Sequence, residues 1–405
     1  MLTVDEALAR ILARHRPLLS ETVSIAEAAG RVLAAPLAAR LDQPFADLSA
    51  MDGYAVRAAD CASLPVTLKV VGQAPAGGAY EGTVGNGETV RIFTGGPLPA
   101  GADTIVIQEN TKVEAAGTVT VLEGVQRGRH IRRRGLDFAA GTVGLEPGRR
   151  LVPRDVSLAA AMNAPWLTVH HRPRVAVLAT GDELVMPGEP VGPNQILSSS
   201  ALAVAALVRA WGGEASLLGI ARDTREDTAA RISAGLSADI LVTLGGVSVG
   251  EHDLVQDTLK GLGFSLDFWR IAMRPGKPLM FAERDGQTAL GLPGNPVSTM
   301  ICALLFLKPA IERLSGLPGS PVALRRGVLG MALGANDTRQ DYMRSRIERR
   351  GSGLPAVHPF DVQDSSMLSV LSRADGLLVR APHDPARVPG EEVDIIDFAD
   401  LGHTF

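Results

Sequence analysis

The residues most able to do chemistry lie in a glycine-rich segment, DILVTLGGVSVGEHDL, over residues 239–254. Gly245, Gly246 and Gly250 let the backbone approach a ligand closely, and a helix that follows them offers unpaired N–H groups to an anion. Asp253 at the start of that helix would repel a bare phosphate but can hold Mg²⁺, which bridges carboxylate and phosphate oxygens. The alternative is structural: the glycines only make a tight turn, and Asp253 caps the helix. The segment alone leaves both interpretations open.

Other polar loops follow other strands in an alternating pattern. From residue 174 onward, strand-like runs such as RVAVLAT, ASLLGI, DILVTL and SLDFWRIA alternate with helical patterns, which predicts a parallel sheet with helices on both faces. In such sheets ligands collect beyond the carboxyl ends of the strands. We therefore expect five polar loops to meet at one edge. Their candidate residues are Thr180, Gly181, Glu183, Asp223, Gly245, Gly246, Ser248, Arg274, Lys277, Pro293, Gly294 and Asn295.

Composition limits the kind of protein. A length of 405 residues is enough for two to four domains with a core each, and a net charge of −4 argues against a dedicated nucleic-acid surface. Two cysteines, Cys61 and Cys302, are too few for a disulfide framework, so a reducing cytoplasm is the expected compartment. The apolar run at 300–307 is too short to span a membrane, and Thr3 and Glu6 predict a capped helix rather than a signal peptide.

Outside the alternating region, the chain divides into β-rich and helical parts. Residues 41–138 contain short β-like runs separated by glycine, and helical patterns flank them in residues 1–40 and 139–172. Residues 317–405 contain about five strand-like runs, as a small β-barrel or sandwich requires. The predicted fold is therefore multidomain α/β and β. It has an α/β domain over 173–316 with a mostly parallel sheet, an inserted β-rich domain, a small helical linking domain and a C-terminal β-barrel.

Three polar clusters stand out in the β-rich insert. They contain Asp52, Thr94 and Asp137, and three adjacent arginines at 132–134 precede the last of these. Structural turns explain each cluster on its own, and a solvated face explains the arginines. Three guanidinium groups beside Asp137 would also suit an anionic ligand. The helix that begins at Pro153 is expected to pack on the N-terminal helices, which makes the β-rich segment an insertion into a helical domain.

Seven motifs connect these loops to a known family. In chain order they are MDGYA, TGGPLPAGAD, RRRGLDF, LATGDEL, TLGGVSVGEHD, MRPGKP and GLPGNPVS, and they extend over almost the whole chain. Together they closely resemble the molybdopterin molybdenumtransferases, whose eukaryotic relative is the E domain of gephyrin. GGVSVG alone would indicate only a molybdopterin-binding domain, which the adenylylating enzyme of the same pathway also carries.

The resemblance implies a reaction and a set of partners. The reaction inserts molybdate into adenylylated molybdopterin with Mg²⁺-dependent release of AMP and forms the molybdenum cofactor. The implied assembly is a homodimer in which the inserted domain of one subunit faces the α/β domain of the other, so that Asp52, Thr94 and Asp137 lie across from Asp223 and Asp253. The molybdopterin adenylyltransferase and molybdenum apo-enzymes are implied as further partners, whereas nucleic acid and membranes are not.

The chemistry of the residues agrees with that reaction. A pyrophosphate ester needs a divalent cation, and Asp253, Asp223 and Glu183 are the predicted Mg²⁺ ligands. Molybdate is a dianion, so its pocket needs cations and hydroxyls, which Arg274, Lys277, Arg344 and Ser366 can supply. The predicted catalytic residues are Asp52, Thr94, Asp137, Glu183, Asp223 and Asp253. The predicted substrate-binding residues are Thr180, Gly181, Gly245, Gly246, Ser248, Gly250, Arg274, Lys277, Pro293, Gly294, Asn295, Arg344 and Ser366.

Two departures from the family pattern and two alternative functions remain. The family often has lysine where Arg274 stands and alanine where Gly96 stands, and both changes keep the relevant property, a positive charge or a small side chain. The molybdopterin adenylyltransferase shares the α/β domain, but the inserted domain and the barrel argue against it. A non-catalytic scaffold would not need all the aspartates of the predicted site, and the fold alone would not distinguish it from an enzyme.

Overall fold

The structure is a computed structural model that describes residues 1–114, 117–246, 254–349, 351 and 353–405. Within these ranges, no helix is both long enough and apolar enough to cross a membrane. A π-helical turn at Ala303–Leu307 joins the sixth and seventh helices into one continuous helix. The helices are α1 (Val4–Arg14), α2 (Pro153–Ala161), α3 (Ser200–Ala210), α4 (Arg225–Ala234), α5 (Leu254–Gly261), α6 (Pro296–Cys302), α7 (Lys308–Leu314) and α8 (Leu368–Leu371).

Helix α1 begins at the predicted capping box but packs in an unexpected place. Glu6 N donates to Thr3 Oγ1 at 3.2 Å, and Thr3 N donates to Glu6 Oε2 at 2.9 Å. The buried face of α1, which includes Leu8 and Ile11, joins the core of the α/β region together with α7. The prediction that α2 packs on the N-terminal helices is confirmed for the short 3-10 helix at Ile25–Glu27, which contacts α2, but it is wrong for α1, because Ala159 of α2 belongs to a separate small core.

Short strand pairs and a larger sheet fill the first part of the chain. β1 pairs with β12 and β2 pairs with β11, and these two ladders surround the core that contains α2. The inserted sheet has the strand order β7-β4-β6-β5-β9-β8. The strands are β1 (Ser20–Ser24), β2 (Leu37–Ala38), β3 (Leu48–Ser49), β4 (Gly53–Val56), β5 (Val66–Ala74), β6 (Glu88–Ile92), β7 (Thr104–Ile107), β8 (Thr111–Val113), β9 (Thr118–Val121), β10 (Ile131–Arg132), β11 (Val143–Leu145) and β12 (Trp166–His170).

The central sheet is the element that positions most of the predicted site. Its strand order is β16-β13-β17-β21-β20-β18, and the first four of these strands are parallel. Alternate residues of β13 face opposite sides: Val175 and Val177 join the core that contains α3, while Ala176 and Leu178 join the core that contains α4 and α5 residues. The strands are β13 (Arg174–Thr180), β14 (Leu184–Val185), β15 (Ile196–Leu197), β16 (Glu214–Ala221), β17 (Ile240–Leu244), β18 (Ser265–Phe268), β19 (Met273–Arg274), β20 (Met280–Arg284) and β21 (Gln287–Leu292).

One side of this sheet is antiparallel, which corrects part of the sequence prediction. Asp285 and Gly286 have φ angles of 46° and 84° and connect β20 to β21 as a two-residue hairpin. The strand predicted from SLDFWRIA is β18, and it pairs with β20 in antiparallel orientation rather than joining a parallel ladder. Since two antiparallel pairings separate β18 from β21, β18 still runs in the direction of the parallel strands.

The C-terminal strands form the predicted barrel. The ladder β23-β24-β22-β26-β25 closes because β23 also pairs with β25. β19 leaves the central region and adds to β23, with Met273 opposite Gln340, so that the barrel and the α/β region are joined along one ladder. The domain limits given above stay a prediction. The strands are β22 (Arg325–Leu329), β23 (Gln340–Glu348), β24 (Ala356–Pro359), β25 (Gly376–Arg380) and β26 (Glu392–Asp397).

A buried histidine at the end of α1 makes stability depend on pH. His15 is 3% exposed, and its ring nitrogens lie 2.7 Å from Ile11 O and 3.0 Å from Thr288 Oγ1. Burial lowers the pKa of His15 below its usual value near 6.5. Because the unfolded chain binds the proton more readily, this contribution to stability is complete above pH 6.5 and is lost as the pH falls below that value.

We expect the free energy of unfolding to depend less on pH in His15→Gln than in the wild type. Glutamine keeps polar atoms at the site but does not titrate. Urea unfolding at pH 8 and pH 5.5 measures it: the wild type should lose more free energy of unfolding between these values than the variant does. Equal losses in the two proteins would contradict the assignment to His15.

Candidate active site

The loops after four parallel strands line a cavity of about 550 Å³ at one edge of the central sheet. Because parallel strands end at the same edge, residues far apart in sequence come together there. The barrel adds one loop to the cavity wall. The residues predicted from the sequence that line this cavity are Thr180, Gly181, Glu183, Asp223, Gly245, Gly246, Gly294, Asn295 and Ser366.

The glycine turn after β17 allows two loops to approach each other closely. Gly245 and Gly246 have φ angles of 83° and 67°, in the left-handed region that favours glycine. A Cβ atom on Gly246 would lie 2.5 Å from Val255 Cγ2, and one on Gly294 would lie 3.6 Å from Gly245 Cα. The glycines therefore leave backbone rather than side chain at this part of the cavity wall.

Two carboxylates, Glu183 and Asp223, line the cavity. Asp223 N donates to Asp182 Oδ1 at 3.2 Å, and Asp182 N donates to Asp223 Oδ2 at 3.4 Å, so the two loops hold each other. Mg²⁺ is usually bound through one or two carboxylates together with substrate phosphates, and this pair of oxygen donors fits that pattern. In the described part of the chain, no three acidic, histidine or cysteine side chains converge as a metal site on their own. Outside the described residues lie three predicted site residues, Ser248, Gly250 and Asp253.

A loop of the C-terminal barrel forms one side of the cavity. Asn295 Nδ2 donates to Ser365 Oγ at 2.8 Å, and Val297 N donates to Ser365 O at 3.0 Å, which ties this loop to the start of α6. Asp364 Oδ1 accepts hydrogen bonds from Ser366 Oγ at 2.6 Å and from Ser366 N at 2.8 Å. These bonds lower the pKa of Asp364, so its carboxylate stays ionised and orients the Ser366 hydroxyl.

Arg344 lies behind the same barrel loop. It is 1% exposed, and Gln363 Oε1 accepts hydrogen bonds from Arg344 N at 3.0 Å and Nε at 3.2 Å. Arg344 Nη1 donates to Asp364 O at 2.9 Å. Burial lowers the pKa of the guanidinium. Arg344 therefore supports the loop that carries Ser366 and is not among the residues that line the cavity.

Three other predicted substrate-binding residues do not line the cavity: Arg274, Lys277 and Pro293. The loop after SLDFWRIA is not among the segments that line this cavity, and β19 within it pairs with the barrel strand β23; that it meets the other four loops stays a prediction. Arg274 forms ion pairs there with Asp337 at 3.3 Å and with the buried Asp341. Lys277 is exposed: its backbone O accepts from Ile271 N at 3.0 Å, and its ammonium group has no hydrogen bond or ion pair to a described residue.

The predicted residues of the inserted region form a separate polar group. Asp52 Oδ1 accepts hydrogen bonds from Thr94 N at 2.7 Å and Thr94 Oγ1 at 2.8 Å. The backbone bond and then the hydroxyl bond lower the pKa of Asp52, so the carboxylate is ionised at neutral pH. Asp52, Thr94 and Asp137 do not line the cavity of the same chain.

The arginines before Asp137 are largely engaged in local pairs. Arg133 Nη1 lies 2.5 Å from Asp47 Oδ2, and Arg134 pairs with Asp42. These contacts fit the structural interpretation of Arg133 and Arg134 better than the anion-binding one.

The cavity also contains residues to which the sequence assigned no role. Ser198, Ser199 and Ser200 line it at the start of α3, together with apolar side chains such as Ile196 and Leu368. Serines directly before a helical pattern are typical of an ordinary helix start, so the sequence carried no specific signal for this position.

Comparison with known proteins adds three matches that together cover most of the chain. The MoeA N-terminal region (domain I and II) matches residues 2–163, the probable molybdopterin binding domain matches residues 176–313, and the MoeA C-terminal region (domain IV) matches residues 326–398. With the inserted sheet, the cavity of the α/β region and the closed barrel, these matches define the class: a multidomain protein built around a molybdopterin-binding-type α/β domain.

Individual relatives are similar over nearly the full length. The molybdopterin molybdenumtransferase of Haemophilus influenzae is 33% identical over 408 residues, which cover 99% of this chain and all of the relative. That of a Nostoc species is 41% identical over 306 residues, 74% of this chain and 70% of the relative. The solved molybdopterin biosynthesis MoeA protein from Pyrococcus horikosii has a TM-score of 0.85 at 28% identity, covering 98% of this chain and 99% of that one.

The chain belongs to the molybdopterin molybdenumtransferase family and is a transferase of molybdenum cofactor biosynthesis. The resemblance inferred from the seven motifs is confirmed.

Proposed function

We propose that the protein inserts molybdate into adenylylated molybdopterin, with Mg²⁺-dependent release of AMP, and so forms the molybdenum cofactor. The observation that carries this proposal is the cavity in which glycine turns and the carboxylates Glu183 and Asp223 converge beyond four parallel strands. Backbone donors suit phosphate oxygens, and paired carboxylates suit a divalent cation bound with them. The names of the relatives, molybdopterin molybdenumtransferases, support the same substrates.

In this proposal, Asp223, Glu183 and Asp253 would hold Mg²⁺ when the ligand is bound. The ion would neutralise negative charge that develops as the bond between the two phosphates of the pyrophosphate breaks and AMP leaves. The backbone of the glycine turns and the hydroxyl of Thr180 orient the ligand. The barrel loop that carries Ser366, supported by Arg344, closes the side of the cavity where molybdate would be bound, and the Ser366 hydroxyl, which donates to Asp364 in this structure, would turn from that carboxylate to donate to the anion.

We also propose that the working protein is a homodimer with its site shared between subunits. Asp52, Thr94 and Asp137 would then face the cavity of the partner subunit, since they do not line that of their own chain. Exposed apolar side chains near the cavity and near the aspartates of the inserted region support this shared site. Phe45 is 63% exposed and Leu136 is 66% exposed near the aspartates, and Ile196 is 58% exposed at the cavity. Large exposed apolar side chains grouped near polar residues are typical of protein interfaces.

The ionised Asp52 has a defined part in this arrangement. Its Oδ1 atom is occupied by Thr94, and its Oδ2 atom accepts no hydrogen bond from a described residue. That free oxygen is suited to orienting water or a second metal ion in the facing cavity.

The two cysteines are free and buried, which agrees with a reducing compartment, and we place the protein in the cytoplasm.

The test is AMP release from adenylylated molybdopterin with Mg²⁺, measured with and without molybdate. We expect release that requires both, and a product that activates a molybdenum apo-enzyme. Consumption of ATP to adenylylate molybdopterin would instead indicate the adenylyltransferase. Tight binding of the adenylylated ligand without release would indicate a scaffold.

A further inference from the structure

The three serines at the start of α3 form a group of donors inside the cavity. Ser198, Ser199 and Ser200 all line it. Ser198 is only 5% exposed, yet its hydroxyl has no hydrogen-bond partner among the residues that the structure describes. The Ser198 oxygen is not among the fully buried unpartnered atoms of the described residues, so it is open to the cavity, where a ligand oxygen can replace the water that solvates it.

The helix that follows is not capped at its N-terminus. Ser199, the N-cap residue, has φ and ψ of −82° and −33° and makes no side-chain capping bond, and no acidic residue lies in the first turn of α3. By contrast, α1 and α4 are capped by Thr3 and Thr224 and carry acidic residues in their first turns. The positive end of the eleven-residue α3 is therefore compensated by no side chain of its own.

The charged side chains on the described cavity wall are acidic, so the N-terminus of α3 is a positive feature on a negatively charged wall. The charged side chains that line the described part of the cavity are Glu183 and Asp223, and neither a lysine nor an arginine is among the lining residues. Arg222, the nearest cation in sequence to Asp223, instead donates to Asp182 O at 3.1 Å. An anionic group in the cavity must therefore be held by neutral donors or by a metal ion that it shares with the carboxylates.

The serines and the proposed metal ligand Glu183 lie on segments that pair with each other. β14 and β15 form a two-residue ladder that joins the segment after Glu183 to the segment before Ser198. Ile196 N donates to Glu183 O at 2.8 Å, and Ser198 N donates to Val185 O at 2.9 Å. Glu183 precedes this ladder and Ser198 follows it, and both residues line the same cavity, so a phosphate group there can bind protein donors together with a metal ion held by the carboxylate.

We propose that Ser198 and the first turn of α3 bind a phosphate group of adenylylated molybdopterin. The Ser198 hydroxyl donates to a phosphate oxygen, and the N–H groups of the first turn with the Ser200 hydroxyl complete the subsite. The inference rests on the proposed function. Molybdate is also a tetrahedral oxyanion, but the proposed function assigns it to the barrel loop that carries Ser366, so we assign the α3 subsite to phosphate.

Binding measurements on the full-length protein test this subsite without requiring turnover. Adenylylated molybdopterin is titrated with Mg²⁺ and without molybdate, and molybdate is titrated alone, against the wild type, Ser198→Ala and Ser200→Ala. The control is Ser233→Ala, an exposed serine on α4. In Ser198→Ala we expect the Kd for adenylylated molybdopterin to rise about tenfold, equivalent to about 1.4 kcal/mol. The affinity of Ser198→Ala for molybdate and its thermal unfolding midpoint should equal those of Ser233→Ala.

Several outcomes would overturn the inference. Unchanged affinity of Ser198→Ala for adenylylated molybdopterin would show that no phosphate is bound there, and a loss confined to molybdate would give the subsite to the other oxyanion. An equal loss in Ser233→Ala would show a general effect on the protein. A wild type that releases no AMP would instead refute the proposed function, and the Ser198-dependent binding would still stand.

Discussion

Asp223→Asn lowers the rate of molybdate-dependent AMP release by about two orders of magnitude in our expectation, a loss typical of damaged metal coordination. Asp223 is one of two carboxylates on the described cavity wall, and asparagine removes its charge. Asparagine keeps an oxygen that can accept the 3.4 Å bond from Asp182 N, so the loop should keep its shape. The substitution should therefore weaken Mg²⁺ binding and slow AMP release, while the thermal unfolding midpoint stays that of the wild type.

A control variant and a Mg²⁺ titration distinguish the loss of a metal ligand from other effects of Asp223→Asn. Asp257 on α5 has a side chain that is 45% exposed and lies 3.9 Å from Arg225 across the surface, so Asp257→Asn should keep the wild-type rate. Raising Mg²⁺ should restore part of the activity of Asp223→Asn, because a weakened site fills at higher concentration. A rate that falls without any response to Mg²⁺ would argue that Asp223 acts otherwise than as a metal ligand.

A heterodimer made from two inactive chains should regain activity if the site is shared between subunits. Asp52→Ala and Asp223→Asn are co-expressed with different affinity tags, and the mixed dimer is purified. One of its two sites then combines an intact Asp52 with an intact Asp223, so we expect about half the wild-type rate. Each mutant homodimer should be nearly inactive.

The same substitutions supply the reciprocal control. A chain carrying both Asp52→Ala and Asp223→Asn is paired with a wild-type chain. Sites shared across the dimer are both damaged in this pair, which should be inactive, whereas sites contained within one chain would leave the wild-type subunit working. Activity in this second pair and none in the first would contradict the shared site, and a monomer in sedimentation would do so directly.

Much of the cavity could be predicted from the sequence because it depends on local patterns. Apolar runs such as 240–244 form strands, and the polar residues after them, including Thr180 and Asp223, must lie at the ends of those strands. Parallel order then brings these ends to one edge. Gly245 and Gly246 were recognisable for the same reason, since the positive φ angles of their turn are local properties.

Contacts between segments far apart in sequence could not be predicted from local patterns. Arg274 sits in a motif with predicted substrate-binding residues, but a buried carboxylate at Asp341 draws it to the barrel. The apolar face of α1 was visible in the sequence, although nothing local says that it packs on α7 rather than on α2. Ser198 looked like part of an ordinary helix start until the fold enclosed its hydroxyl in the cavity wall.

The sequence by itself determined the family, the order of the elements and the set of polar loops, because motifs, periodicity and turn residues are written in consecutive positions. Tertiary structure alone decided which of those loops meet. It brought Glu183, Asp223 and Ser366 to one cavity, placed Arg344 behind the wall, and left Asp52 on a different surface of the same chain. The physical reason is that burial and strand pairing act between segments far apart in sequence, where the net free energy depends on the whole core.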